Sequence, residues 1–345
     1  MKLFILSIAC LLSSVQSFQV VAPPLAATTF SQRSSSSNSA LFSTTTPAAD
    51  VVVEKKGELL ERDRYIASNR FTVRPGREAK FEKRWADRSS RLASLDGFRY
   101  FQLMRRVSLD DEANSGIDPL SSTDPFGNYV SFTIWHQKKH FNAWRAGDAF
   151  REAHGGTSLF AFVTTMVSSA MVLTGAPKPA FYDGLLQQSV IPESVPETVD
   201  GWRSVQADGT NILPAESFVA MNQFFVPMEN AVAFEERWAG RTSKLKECDG
   251  FVSFTMLRRD VKAKGHGIKP MGEEEPTYTS CTVWKDRASF DGWRNSMAFK
   301  EAHGEKKSSG GEEKKEKPSG PPLWSKPPVP VFFEGTLVIS SQEGA

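Results

Sequence analysis

The sequence repeats itself, and this repetition constrains the fold more than any other feature of the chain. Residues 68–106 align without a gap with residues 221–259, and residues 129–154 align in the same way with residues 278–303. Within the second pair, the stretch FNAWRAGDAFREAH returns as FDGWRNSMAFKEAH. Self-similarity of this kind is the signature of a duplicated supersecondary unit. The chain is therefore expected to fold as two modules of one kind.

The same order of elements is predicted in both copies. The stretches NRFTV and NQFFV have the apolar character of strands, and each is followed by a segment with Phe and Trp four residues apart, as on one helix face. Asp-Gly dipeptides at 96–97 and 249–250 predict turns. Two alternating strands, a helical segment and a last strand complete each copy. This β-α-β-β-α-β order is that of a ferredoxin-like α+β module.

The boundaries of the modules follow from where the similarity stops. We place the first module at residues 62–186 and the second at residues 216–340. The intervening stretch 187–215 begins with QQSVIPESVPETVDG, in which Pro, Ser and Glu predominate, and is interpreted as a linker.

The N-terminal segment is interpreted as an address rather than as part of the fold. Residues 1–17 combine a Lys, an apolar run and a small-residue ending, as a secretory signal peptide does. Residues 18–49 begin with Phe and are rich in Ser, Thr and Ala, with one Arg and no acidic residue. Together they resemble the bipartite presequence that directs proteins to the plastids of algae with secondary plastids. Plastid import is therefore expected, with simple secretion as the alternative.

The charge balance gives no reason to expect a nucleic-acid partner, because 42 Lys and Arg residues nearly match 40 Asp and Glu residues. Cys248 and Cys281 are too few for a disulfide framework and lack a metal-ligand spacing. The apolar stretch 157–175 contains Thr and Ser and precedes a repeat strand, so a packed helix is favoured over a membrane span. No stable membrane span is expected.

A Trp and a His ten residues apart lie in the late helical segment of each copy. The pairs are Trp144 with His154 and Trp293 with His303. On an unbroken helix about 15 Å would separate the two side chains of a pair along the axis. Gly147-Asp148 and Asn295-Ser296 predict a break followed by an N-cap. Two short helices meeting there can direct both side chains towards one cavity, and a flat, wide ligand suits such a pair.

The pattern resembles the antibiotic-biosynthesis-monooxygenase (ABM) superfamily, and within it the IsdG-type haem-degrading monooxygenases. Those proteins carry an Asn on the first strand, a Trp on a late helix and a His ten residues after it. The matching residues are Asn69, Trp144 and His154 in the first copy and Asn222, Trp293 and His303 in the second. The resemblance covers nearly all of both repeats. Typical members are single modules that dimerise by closing two sheets into a barrel, so this chain is expected to form a monomeric pseudo-dimer.

The resemblance implies a role for each of these residues. His154 and His303 are expected to be axial ligands of haem iron, since neutral imidazole is a good ligand for it. The Asn amides are expected to donate hydrogen bonds towards the iron or its bound oxygen, and the Trp side chains to press on the macrocycle and distort it. The family also lines the pocket with an aromatic residue and can meet a propionate with an Arg. These cofactor-binding positions are Trp85, Arg88, Trp238 and Arg241.

The implied activity is oxygen-dependent cleavage of haem b, which serves as substrate and cofactor, with release of iron and an open-chain tetrapyrrole. Electrons must come from an external donor such as ferredoxin or ascorbate, because the sequence has no glycine-rich nucleotide-binding turn. Two alternatives stay open. One is a haem-binding or carrier protein without turnover, and the other is a cofactor-free monooxygenase that acts on a quinol-like aromatic.

Each residue also has a plainer interpretation. A His at a helix end can simply interact with the helix dipole, the Trp residues can belong to the core, and an Asn at a strand can be a turn residue. The apolar extension after His154 is absent after His303, where a charged, Gly-containing loop follows. The first site is therefore the more doubtful of the two.

Overall fold

The computed structural model describes residues 57–87, 91–109, 127–153, 168–190, 211–241, 243–263, 270–272, 275–296, 299 and 322–340. The predicted presequence at 1–17 and 18–49 lies outside the described residues, and so do Arg88, His154 and His303. The described ranges include strands and helices of both predicted modules.

The predicted order of elements is confirmed in both modules. Module one consists of β1 (Arg64–Phe71), α1 (Glu78–Ala86), β2 (Phe98–Val107), β3 (Tyr129–Trp135), α2 (Lys138–Ala146), α3 (Asp148–Ala153) and β4 (Lys178–Ser189). Module two consists of β5 (Ser217–Phe224), α4 (Ala231–Ala239), β6 (Phe251–Arg259), β7 (Tyr278–Trp284), α5 (Arg287–Arg294) and β8 (Val329–Ser340). The strand β4 continues to Ser189, into the stretch interpreted as a linker, because its last residues still pair with β6.

The strands form a single closed barrel in the order β1-β3-β2-β8-β5-β7-β6-β4. The last strand of each module joins the two halves. β4 pairs with β1 of its own module and with β6 of the other, and β8 pairs with β5 and β2 in the same way. All of these pairs are antiparallel. The expected pseudo-dimer within one chain is thus confirmed, since each module supplies the strand that closes the sheet of the other.

Alternation along the strands separates a barrel interior from an outer, helix-covered face. On β1, Ile66 points to the interior cluster, whereas Tyr65 and Phe71 pack in the cluster under the helices of module one. Module two has its own helix-covered cluster around Phe234 and Trp284. The helices α1, α2, α4 and α5 each bury a Phe against their own half of the barrel, namely Phe81, Phe141, Phe234 and Phe290.

A buried carboxylate ties α1 of module one to both modules. Glu82 is fully buried and accepts hydrogen bonds from the Tyr129 hydroxyl at 2.7 Å and from Arg105 at 2.8 Å. It also accepts the backbone N–H of Leu213, which precedes β5 of module two. Arg105 reaches on to Glu334 of β8. Every partner needed to hold a charge in the interior is present, which is what burial of a charge requires.

Module two contains the same network with its own residues. Glu235 accepts hydrogen bonds from the Tyr278 hydroxyl at 2.6 Å and from Arg258 at 2.9 Å. It also accepts the backbone N–H of Leu60, which precedes β1 of module one, at 2.6 Å. Arg258 reaches on to Asp183 of β4 at 3.1 Å. The segment before each module thus crosses to the other and is fixed there by a buried Glu.

Both predicted Asp-Gly turns are confirmed. Gly97 and Gly250 have φ angles of 70° and 72°, in the left-handed region that favours glycine. A β-carbon at Gly97 would meet the His140 ring, and one at Gly250 would meet the Ser289 side chain. Both positions therefore require glycine for conformation and for space.

The described end of the apolar stretch 157–175 is packed. Residues 168–172 are helical, and Val172 and Leu173 are buried in the module-one cluster beside Val73. Leu173 also forms a β-bridge with Val73. Within the described residues, no helix is both long enough and apolar enough to cross a membrane.

Candidate functional site

In module one, two helices cover the two ends of the outer face of β1 and leave its middle between them. Phe141 of α2 packs on Tyr65 at the start of the strand, with ring centroids 5.4 Å apart. Phe81 of α1 packs on Phe71 at the end of the strand, at 5.2 Å. Asn69, between these contacts on the same face, is half-buried. We call this strip between α1 and α2 cleft one.

Module two has the corresponding strip, which we call cleft two. Phe290 of α5 packs on Phe218 at 5.1 Å, and Phe234 of α4 packs on Phe224 at 5.3 Å. Asn222 lies between them and is exposed. The same construction therefore leaves cleft two more open than cleft one at the Asn.

Four small residues from two neighbouring strands form the floor of each cleft. On module one, Asn69 lies opposite Ser131, and Ala67 lies opposite Thr133. The floor of cleft two consists of the same residue types, Ala220, Asn222, Ser280 and Thr282. The Ser and Thr residues are buried, and the amide and hydroxyl groups of each floor offer hydrogen bonds on this face of the sheet.

Sequence reasoning found the Asn of each floor and missed the other three residues. A signal was present, because A-x-N on the first strand and S-x-T on the third recur in both copies. Period-two alternation puts such residues on one face of a sheet, the face on which the predicted Asn lies.

The two predicted Trp residues of the late helices pack against the same apolar clusters as the Ala of each floor. Trp144 and Ala67 pack against one cluster, and Trp293 and Ala220 pack against the other. Trp144 contacts Trp135 at 5.4 Å, and Trp293 contacts Trp284 at the same distance. Trp135 and Trp284 are fully buried and serve as packing residues.

The predicted break after each Trp is confirmed. α2 ends at Ala146, and α3 begins at Asp148. Phe150 of α3 turns back onto Trp144, with ring centroids 4.9 Å apart in a T-shaped contact. In module two, the Ser296 hydroxyl accepts the backbone N–H of Phe299 at 3.3 Å, as an N-cap does. The chain therefore changes direction between the Trp and the segment that leads to the His.

Trp85 and Trp238 lie at the other helix of each module and are half-buried. Trp85 stacks on Phe101 at 5.7 Å, and Trp238 stacks on Phe254 at 5.9 Å. The Arg241 guanidinium lies over the Trp238 ring at 4.2 Å. Burial and the nearby Arg237 lower the pKa of Arg241. An anionic group would compensate both effects, which fits the position expected to meet a propionate.

The expected iron ligands cannot be placed, because His154 and His303 lie outside the described residues. Among the described residues, no group of three or more His, Cys, Asp or Glu side chains could hold a metal ion. That search concerns clusters of protein ligands, whereas the expected haem iron takes a single axial His from each module. The structure thus brings Asn69 with Trp85 and Trp144 into one module face, and Asn222 with Trp238 and Trp293 into the other.

The chain belongs to the antibiotic biosynthesis monooxygenase family, whose model matches residues 64–156 and again residues 217–305. These two matches together cover more than half of the chain. A curated relative is the heme oxygenase (staphylobilin-producing) of Staphylococcus haemolyticus. It is 30% identical over 90 residues, which is 26% of this chain and 72% of the relative.

Two solved structures align with most of this chain. A putative monooxygenase from Fusobacterium nucleatum aligns over 83% of this chain and 98% of its own, with a TM-score of 0.47 and 10% identity. The heme-degrading enzyme LmHde from Listeria monocytogenes aligns over 78% of this chain and 99% of its own, with a TM-score of 0.30 and 10% identity.

Proposed function

We propose that the protein degrades haem in an oxygen-dependent reaction that releases iron and an open-chain tetrapyrrole. The observation that carries the proposal is the doubled cleft, in which an Asn on a floor of small residues lies between two Trp-bearing helices. The similarity to a bacterial heme oxygenase supports it. In this reaction haem b is the substrate and also the group that activates oxygen.

The described residues fit a flat aromatic ligand. Ala, Ser, Thr and Asn on one sheet face offer a floor with hydrogen-bonding groups, and Trp side chains pack in the same cluster. Asn69 and Asn222 can each donate an amide N–H to the ligand. His154 and His303 are proposed to bind the iron, and Trp144 and Trp293 to press on the ring. Arg88 and Arg241 are proposed to meet propionates.

The electrons for this reaction are proposed to come from outside the chain. Ferredoxin and ascorbate are the candidate donors, because the sequence contains no glycine-rich nucleotide-binding turn. Omission of the donor from the assay should stop turnover and leave haem binding intact.

Haemin titration followed by addition of reductant in air tests the proposal. We expect a shifted Soret band on binding that bleaches once ascorbate or reduced ferredoxin is added. A shifted band that persists under reductant and oxygen would instead indicate a carrier. If the Soret band does not shift at all, the protein does not bind haem, and this outcome would favour a cofactor-free monooxygenase acting on a quinol-like aromatic.

Alanine variants of His154 and His303 test which of the two clefts contributes more to haem turnover. We expect His303→Ala to abolish turnover at cleft two, and His154→Ala to cost less, because cleft two is the more open at its Asn. Met228→Ala, at a position 71% exposed, is the control and should leave turnover unchanged. Full turnover in His303→Ala with loss in His154→Ala would reverse the ranking. Full turnover in the double variant would exclude axial ligation by these residues.

We propose further that the mature chain is a monomer, since the barrel is closed by its own strands and leaves no unpaired edge among them. Sedimentation at micromolar concentration should give the mass of one chain, and an obligate dimer would contradict this. Residues 1–49 are proposed to direct plastid import. A fluorescent fusion of these residues should reach the plastid of a secondary-plastid alga, and its secretion into the medium would exclude that destination.

A further inference from the structure

A pocket of about 560 Å³ lies in module one where β1 begins and β3 leads into α2. Its lining includes the basic residues Arg62, Arg64, His136 and Lys246, together with Asp63 and Gln137. Lys246 comes from module two, so the pocket is built by both halves of the chain. None of these residues belongs to cleft one or cleft two.

The Arg64 side chain is hydrogen-bonded to a second basic side chain of this pocket, that of His136. Arg62 is paired with Asp183 at 2.9 Å, and Asp63 lies close enough to Arg64 to favour its charge. Arg64, however, donates its hydrogen bond to Nδ1 of His136 at 3.1 Å, which requires that this nitrogen of the imidazole be unprotonated. This hydrogen bond of Arg64 is therefore made to a base rather than to an acid.

The positive charges around this pocket lower one another's pKa values. Burial and the nearby Arg99 lower the pKa of Arg64. Burial lowers the pKa of His136 first, and the positive charges of Arg64, Arg99 and Lys139 lower it further. Like charges held together in a cleft cost free energy, and such clusters are frequent at functional sites. A bound anion would remove this repulsion.

Module two provides an internal comparison, because its elements are the same and its charges differ. The module-one residues Arg64, Arg99, His136, Gln137 and Lys139 correspond to Ser217, Val252, Lys285, Asp286 and Ala288. The strands and the helix form equally well with this less basic set. The fold therefore does not need the cations of module one, and another cause must account for them.

The N-terminus of α2 is also more basic than the corresponding N-terminus of α5. Asp286 caps α5, since its carboxylate accepts the backbone N–H of Ser289 at 2.8 Å. Gln137 precedes α2 and makes no side-chain cap, and the first turn of α2 contains Lys138 and Lys139 and no acidic residue. Positive charge at a helix N-terminus is unfavourable. Lys138 is paired with Asp260, so it is Lys139 and the missing cap that favour an anion beside Gln137.

We propose that this pocket binds a small polyanion that carries phosphate or carboxylate groups, held by Arg64, Lys246 and the imidazole of His136. A volume of about 560 Å³ that is open to solvent suits a compact ligand with several negative groups. On binding, Arg64 turns from the imidazole to the anion, and Nδ1 of His136 becomes free to take a proton and to donate as well. The site is independent of haem binding at the two clefts.

Calorimetric titration of the full-length protein at low ionic strength tests this, with pyrophosphate and citrate as separate probes. We expect one site per chain, and the tighter probe identifies phosphate or carboxylate as the preferred group. Lys246→Glu should weaken binding by about tenfold, since a hydrogen bond to a charged group contributes a factor of that order. Lys285→Glu makes the same charge change at an exposed position of module two and should leave the affinity unchanged.

NMR titration of His136 gives a readout that a merely structural effect would not produce. The pKa of His136, assigned with a His136→Gln variant, should rise as pyrophosphate occupies the site, and in Lys246→Glu the same rise should require about tenfold more pyrophosphate. Absence of binding by both probes would overturn the proposal. An equal loss of affinity in Lys246→Glu and Lys285→Glu would also overturn it, because the effect would then reflect net charge alone.

Discussion

Under α2 of module one, the Tyr65 hydroxyl donates to the carboxylate of Asp260 at 3.2 Å, and Lys138 binds the same carboxylate at 2.5 Å. Under α5 of module two, the residues corresponding to Tyr65 and Asp260 are Phe218 and Val107, and both pack in the apolar cluster. This pair of positions is thus hydrogen-bonded and charged under α2, whereas it is apolar under α5.

The difference separates what the duplication has kept from what it has changed. The floor residues and the buried Glu networks are of the same type in both halves. The surroundings of α2 and α5 have diverged in charge, at Tyr65 as well as at the basic pocket. Shared residues should therefore give equal effects when they are mutated in either module, whereas diverged residues should give unequal ones.

The largest effect is expected at the shared networks. Glu82→Ala and Glu235→Ala should each lower the free energy of unfolding by about 3–5 kcal/mol, because a buried Tyr hydroxyl and a backbone N–H lose their acceptor, at about 1–3 kcal/mol each. A half-buried Arg also loses one of its two carboxylate partners. The two losses should be similar, since each Glu binds a Tyr, an Arg and a backbone N–H from the other module. Urea unfolding measures both. If the two losses differ by several kcal/mol, the matching contacts of Glu82 and Glu235 do not contribute equally to stability.

A smaller and unequal effect is expected at the diverged position. Burial raises the pKa of Tyr65, and Asp260 raises it further, so the phenol keeps its proton and donates. Tyr65→Phe should therefore cost about 1 kcal/mol, the usual net value of a hydrogen bond. The double variant Tyr65→Phe with Asp260→Val, which introduces the residue types of module two, should recover part of the loss in a thermal unfolding series. Equal stability of wild type and Tyr65→Phe would make the Tyr65–Asp260 bond energetically silent.

The same carboxylate predicts a dependence on pH. Burial opposes the charge of Asp260, but hydrogen bonds and charge from Lys138 outweigh it and lower the pKa. A carboxyl whose folded pKa lies below its unfolded value of about 3.9 adds stability above that value. This stability is lost as the pH falls through the folded pKa. Wild type should therefore lose more stability than Asp260→Asn as the pH falls from about 5 to about 2, by about 1 kcal/mol or less. Parallel curves would contradict the assignment.

The sequence allowed the strands, the helices and the doubled order to be predicted, because period-two and helical patterns are local and the repeat checks each of them. The Glu82 network was not predicted. A Glu on an amphipathic helix is usually solvated, and its partners Tyr129, Arg105 and Leu213 come from distant positions. The floor residues Ser131 and Thr133 were missed for a related reason, since a strand pattern does not show which face a ligand can reach.

The charges around α2 were also invisible as a group. Arg64, Arg99 and His136 lie on three different strands or their ends, and only the pairing of β1 and β2 with β3 brings them together. Each alone is an ordinary base on a strand end. Their clustering is a tertiary property, and comparison with Ser217 and Val252 of module two becomes informative only once the two backbones are known to match.

The smallest predicted effect concerns the caps of the two late helices and connects stability to the proposed anion pocket. Gln137 has the extended backbone of an N-cap, with φ −144° and ψ 157°, but its side chain caps nothing. Gln137→Asp should add a capping hydrogen bond and an acid beside Lys138 and Lys139, and so raise the free energy of unfolding by about 0.5–1 kcal/mol.

The reverse change in module two is the matched control. Asp286→Gln should lose its bond to Ser289 and destabilise the protein by a similar amount, about 1 kcal/mol. If the uncapped N-terminus of α2 contributes to the anion site, Gln137→Asp should both stabilise the protein and weaken pyrophosphate binding. Asp286→Gln should lose stability with no effect on that binding. A gain of stability in Gln137→Asp at unchanged pyrophosphate affinity would mean that the uncapped helix start has no part in the anion site.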